Sequence, residues 1–117
     1  MDKRKAGNIA EDIAVRYIEE LGYQVIKKNF TFGRVGEIDI ISEFQGMLIF
    51  IEVKARTHHA FGAPESSITS KKIKSIKRVA EGYLYINKIN DKPCRFDLIA
   101  IDYLNGEQSI RHLINAM

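Results

Sequence analysis

The 117 residues predict an α/β (α+β) fold: a central mixed five-stranded sheet flanked by two helices, in the order αβββαββ. Two observations lead there. Apolar residues recur at helical spacing near the start of the chain and again past its middle. Between and beyond these stretches lie short apolar runs punctuated by Gly, Pro and Asn, the pattern of strands and turns. With the second helix standing between the third and fourth strands, the first three strands form a meander and that helix crosses over to the fourth. Both helices are then expected to cover sheet faces, residues 1–117 forming a single domain.

The first helix is read from about Lys5 to Leu21, with Ile9, Ala10, Ile13, Ala14, Tyr17, Ile18 and Leu21 in its apolar stripe and Gly22 as its stop. Glu11 falls at the edge of that stripe, where periodicity alone makes it a solvated flank residue paired with Arg16 or Lys5. Tyr23–Phe32 reads as a first strand, and Gly33–Gly36 turns the chain into a hairpin of two strongly apolar strands. These carry Glu37-Ile38-Asp39-Ile40-Ile41 and Leu48-Ile49-Phe50-Ile51-Glu52-Val53-Lys54. Gln45-Gly46 suits a two-residue turn, which pairs Phe44 with Met47 and sets Asp39 opposite Glu52. A register slip of two residues sets Glu37 there instead; either way the acids share a face, and Lys54 joins them by alternation.

Beyond Lys54, Arg56, His58 and His59 lead into a Gly-, Pro- and Ser-containing loop, the two histidines reading as a surface pair. A second helix begins at Thr69 or Ser70 and runs to about Asn87, with Ile73, Ile76, Ala80, Tyr83 and Leu84 on its buried side. Its first half holds Lys71, Lys72, Lys74, Lys77 and Arg78 with no acid among them. Arg95–Tyr103 reads as a largely buried strand, Asn105-Gly106 as a hairpin turn and Ser109–Ile114 as the returning strand. Asp97 is read as marking the strand's entry or pairing with Arg95, and His112 as structural.

Composition narrows the class without naming a function. Apolar residues make up 45% and charged residues 28%, as in ordinary globular proteins. The net charge of +3 and pI near 9.0 are weak evidence for a polyanionic partner. One cysteine, Cys94, forms no internal disulfide, and no apolar run resembles a signal peptide or a membrane span; a cytoplasmic location is the expectation.

The hairpin carries the chemistry. Asp and Glu are depleted from strands, and a buried charge needs a partner. Two carboxylates and a lysine on one sheet face repel unless a cation joins them, and Mg²⁺ takes a few acid oxygens plus water and phosphate. Acid, then acid-x-Lys on the adjacent strand, is the minimal set for metal-assisted phosphodiester hydrolysis.

Gly36-Glu37-Ile38-Asp39 followed by Ile51-Glu52-Val53-Lys54 resembles the active-site signature of the PD-(D/E)XK nuclease superfamily. From Gly7-x-x-x-Glu11 to Arg95-Phe96-Asp97 the chain resembles the YraN-like family of small bacterial proteins, itself similar to archaeal Holliday-junction resolvases. The superfamily's proline before the first acid is absent, Ile38 standing there. The resemblance implies a restriction-endonuclease-like fold and an endonuclease acting on DNA, branched or structured DNA included. It implies Asp39, Glu52 and the Val53 carbonyl as ligands of Mg²⁺ or Mn²⁺, Lys54 acting on the attacking water, and Glu11 reaching the site from the helix. Glu37 becomes an auxiliary acid. Arg56 and the basic residues Lys71, Lys72, Lys74, Lys77 and Arg78 are the candidate nucleic-acid contacts, and a two-fold homodimer follows by analogy. Two rivals stand beside it: a non-catalytic nucleic-acid-binding module on the same scaffold, and an interaction protein in which Glu52 and Lys54 merely pair with neighbours.

Overall fold

Among the described residues five strands form one sheet, in which every neighbour in space is also a neighbour in sequence. They are β1 (Gln24–Phe32), β2 (Gly36–Phe44), β3 (Met47–Arg56), β4 (Cys94–Leu104) and β5 (Glu107–Leu113); α1 is Lys3–Glu20 and α2 Ser70–Ile86. The computed structural model describes residues 3–56, 68–104 and 106–117, with side chains from residue 9 onward except that of Leu104. His58, His59 and Asn105 lie outside the described residues. β3 and β4 run parallel, as the crossover through α2 requires; the other pairs of described strands are antiparallel. Among the described residues no helix is long and apolar enough to cross a membrane.

Each helix covers one face of the sheet. Ala10, Ala14 and Ile18 of α1 pack on Ile40, Ile49, Ile51, Ile99 and Ile101, while Ile76, Val79, Ala80 and Tyr83 of α2 pack on Ile38, Ile41, Leu48 and Phe50. This is why Leu48–Ile51 is uninterrupted in its apolarity: β3 is central and buried on both faces. The β2–β3 turn is as read, Gln45 (φ 52°) and Gly46 (φ 77°) both left-handed and Phe44 paired with Met47. Ile9 and Leu21, placed in the apolar stripe of the first helix, are instead exposed, at 42% and 49%. Val79, outside the predicted core, is fully buried.

The position of α2 depends on two close approaches. The Ser75 hydroxyl donates to the Val35 carbonyl (2.7 Å), and a Cβ added to Gly36 would meet Ser75 Oγ at 2.6 Å. Two turns further along the same face of α2, a Cβ on Gly82 would lie 2.7 Å from the Phe32 ring. Alanine at Gly82 gains about 1 kcal/mol of helix propensity but overpacks at about 1–3 kcal/mol. Gly82→Ala is therefore expected to lower the urea midpoint, by about 1 kcal/mol net; a raised midpoint would show that Phe32 moves aside freely.

Candidate active site

Alternation along β2 shifts by one residue at Asp39. Ile40 faces α1 whereas Ile38 joins Ile41 beneath α2, and the β1–β2 ladder passes from Lys28↔Ile40 to Phe30↔Ile38. Asn29, the residue skipped on β1, is left-handed at φ 54°. The irregularity releases Asp39 from the ladder, and its carboxylate turns to β3: Asp39 Oδ2 accepts from the Val53 N–H at 2.8 Å. In an antiparallel pair a residue's N–H and C=O face the same neighbour, so the Val53 carbonyl also lies on the β2 side.

Glu52 is next to it, 5% exposed. The register Ile40↔Ile51 places Asp39 against Glu52 at the next step, as the turn implies. Lys54 Nζ and Lys72 Nζ stand 3.8 and 3.9 Å from Glu52 Oε1. The same two lysines act on Asp39, so both carboxyls belong to one cluster. Burial pushes the Glu52 carboxyl up to about 7, with the Asp39 charge adding to the rise and Lys72 and Lys54 opposing it. Asp39 is raised for the same leading reason, burial, with the Val53 N–H opposing.

Glu11 reaches the cluster from α1. It is not the solvated flank residue of the helical wheel: its Oε1 is buried without a hydrogen-bond partner, and its neighbours are Asp39, Glu37, Asn29 and Lys28 rather than Arg16. Burial, then the charges of Asp39 and Glu37, raise its carboxyl to about 7. It also lines a polar cavity of about 330 Å³ with Asp12, Lys28 and Asn29. Glu37 itself is exposed.

The basic residues divide. Lys71, Lys74, Lys77 and Arg78 are exposed along α2, Lys77 over the Phe96 ring at 5.7 Å; Arg56 is exposed and donates to the Ala55 carbonyl. Lys72, grouped with them by sequence, instead faces Glu52. Asp97 is remote from the cluster in role: Arg95, His112 and the Asn115 N–H all bind its carboxylate.

Among the described residues, no three His, Cys, Asp or Glu side chains alone form a set able to hold a metal ion. The donors at hand are hard oxygens, two carboxylates and a backbone carbonyl, the kind Mg²⁺ takes when water and phosphate complete its shell. Burial leads the rise of these acids and the charges of neighbouring acids add to it, while Lys72 and Lys54 oppose the rise at Asp39 and Glu52 without cancelling it; a bound cation would relieve both carboxyls.

A pH dependence follows. A carboxyl raised in the fold binds a proton that the unfolded chain has already released. Its contribution to stability is present below the ordinary value of 4.5 and lost as pH rises through about 7. The metal-free protein is expected to show a falling denaturation midpoint between pH 5.5 and 8 in chelator. A flat or rising profile would mean that the acids are not held at a cost.

Comparison with known proteins adds a family. Residues 10–101 match the model of the "Uncharacterised protein family UPF0102". A UPF0102 protein of Sulfurihydrogenibium sp. is 46% identical over 116 residues, covering 99% of this chain and 96% of its own. Another, of Clostridioides difficile, is 39% identical over 116 residues, covering 99% of both.

Proposed function

We propose that this chain, which belongs to the uncharacterised protein family UPF0102, is a divalent-metal-dependent endonuclease hydrolysing DNA phosphodiester bonds, branched or structured DNA included. One observation carries the reading: Asp39 and Glu52 meet across adjacent strands beside Lys54, each held above its ordinary carboxyl range chiefly by burial. Scaffolding gains nothing from such an arrangement, since well-packed apolar residues would be more stable. Substrate chemistry does.

Asp39, Glu52 and the Val53 carbonyl would hold Mg²⁺ or Mn²⁺. The bound ion supplies an electrophile for the phosphate and the charge that the acids lack. Lys54 orients the attacking water and offsets charge growing on the phosphate. Glu11, with one oxygen already free of partners, hydrogen-bonds that water from the α1 side. Arg56 and the exposed lysines of α2 grip the backbone through charge, so affinity falls steeply with salt.

The test incubates the protein with labelled junction, flap and duplex DNA and Mg²⁺ or Mn²⁺. Cleavage is expected, lost in chelator, in Asp39→Asn and in Lys54→Ala. Cleavage that persists in both variants assigns the activity elsewhere, and binding without any cleavage assigns the chain to a non-catalytic DNA-binding role.

A further inference from the structure

Lys72 differs from every other lysine of α2. Its backbone N–H donates to the Thr69 hydroxyl at 3.1 Å, which fixes it in the first helical turn. The Ser75–Val35 hydrogen bond pins the next turn to the start of β2. Between these two restraints its side chain crosses to the sheet, and its ammonium shares Glu52 Oε1 with that of Lys54. At 3.9 Å this is attraction between charges without a hydrogen bond. The Lys72 side chain is 41% exposed against 25% for Lys54, and it hangs from a helix whose other first-half lysines face solvent.

Two cations on one carboxylate oxygen cannot both stay when a divalent ion arrives at that oxygen. Lys54 is held on a central strand. Lys72 has the exposure and the length to leave, and the phosphate that accompanies the ion is the anion it would meet on the basic side of α2. We propose that Lys72 is an exchangeable counter-charge: it partners Glu52 in the metal-free protein and passes to the DNA backbone when metal takes Glu52. This rests on the nuclease reading and gives Lys72 a positioning role that Lys71 and Lys74 do not have.

The experiment compares the full chain with Lys72→Met, which keeps an apolar stem of similar length, and with Lys74→Met. Mn²⁺ uptake is measured by calorimetry without DNA, and binding of a labelled duplex by anisotropy in chelator and then in Ca²⁺. Removing a positive charge beside Glu52 should tighten Mn²⁺ binding about threefold in Lys72→Met and leave it unchanged in Lys74→Met. DNA binding of Lys72→Met should match the unaltered chain in chelator and fall about fivefold with Ca²⁺, whereas Lys74→Met should lose the same factor in both. Weaker Mn²⁺ binding in Lys72→Met, or an equal DNA loss with and without the ion, overturns the exchange alone. No Mn²⁺ uptake by the unaltered chain overturns both the exchange and the nuclease reading. Melting curves of both variants establish that they fold, and a Lys72→Met chain that fails to fold makes the lysine structural.

Discussion

Glutamine in place of Glu52 is expected to abolish cleavage and, at the same time, to make the metal-free protein more stable. Glutamine keeps the size of the side chain and removes its charge, and that charge is buried beside Asp39. At pH 8 the wild-type carboxyl, held at about 7, is ionised against the preference of its surroundings. Relieving this should contribute about 1–3 kcal/mol, the lower end applying if the attraction of Lys54 and Lys72 is largely forfeited. The catalytic loss should be far larger. Losing several kcal/mol of charge stabilisation at the phosphate slows turnover on the order of 10³-fold. Urea midpoints in chelator and initial cleavage rates, taken on one preparation, check both halves. A variant that is inactive and less stable would make Glu52 a scaffold residue whose pairing with Lys54 and Lys72 outweighs its burial. Lys54→Ala provides the contrast: it should lose activity with no gain in stability, because it removes a cation that the acids need.

The hairpin was legible because two local rules converge on it. A two-residue left-handed turn at Gln45-Gly46 sets the register, and a period of two then brings residues 39 and 52 together without knowledge of the rest of the fold. Thr69 as the cap of α2 was equally local. Glu11 is legible only through the family resemblance, since a helical wheel carries no record of the break at Asn29 that leaves an acidic hollow beneath the helix edge. The separation of Lys72 from its neighbours is not legible in the sequence. Which lysine of a basic helix turns to the sheet depends on the height and roll of that helix. Here Gly36, Ser75, Gly82 and Phe32 set both, through contacts distant in sequence. Ile9 obeys the helical period yet stays exposed, because the period says which side is apolar and not how far the sheet extends beneath it, and Leu21 lies in the turn beyond the end of α1.

Removing Asp97 should cost more stability than any substitution at the acid cluster. Its side chain is wholly buried and accepts from Arg95 Nε at 2.9 Å and a second Arg95 nitrogen at 2.8 Å; that second nitrogen also donates to the Tyr23 hydroxyl at 2.8 Å. The Asn115 N–H donates to it at 2.9 Å, and His112 Nε2 lies 2.8 Å away. One carboxylate thus joins β4, β5, the segment after β5 and, through Arg95, the residue that precedes β1. Burial alone would raise this carboxyl; the bonds from His112, Arg95 and Asn115 outweigh it and hold the group at about 2. Its stability contribution is therefore present above the ordinary 3.8 and lost as pH falls towards 2, opposite in sign to that of the acid cluster. Asp97→Ala leaves a mostly buried guanidinium without its counter-charge and a backbone N–H unpaired, at about 3–5 kcal/mol. Asp97→Asn keeps part of the network, costs about 1–3 kcal/mol, and should flatten the acid limb of the pH–stability profile below pH 4. Because Asp97 pairs with Ile51, whose side chain faces α1, while Glu52 and its lysines face α2, the folded fraction of Asp97→Asn should retain Mn²⁺ affinity. A stable Asp97→Ala would show that the network is dispensable, and a folded Asp97→Asn that no longer takes up Mn²⁺ would show that the two faces of the sheet are coupled.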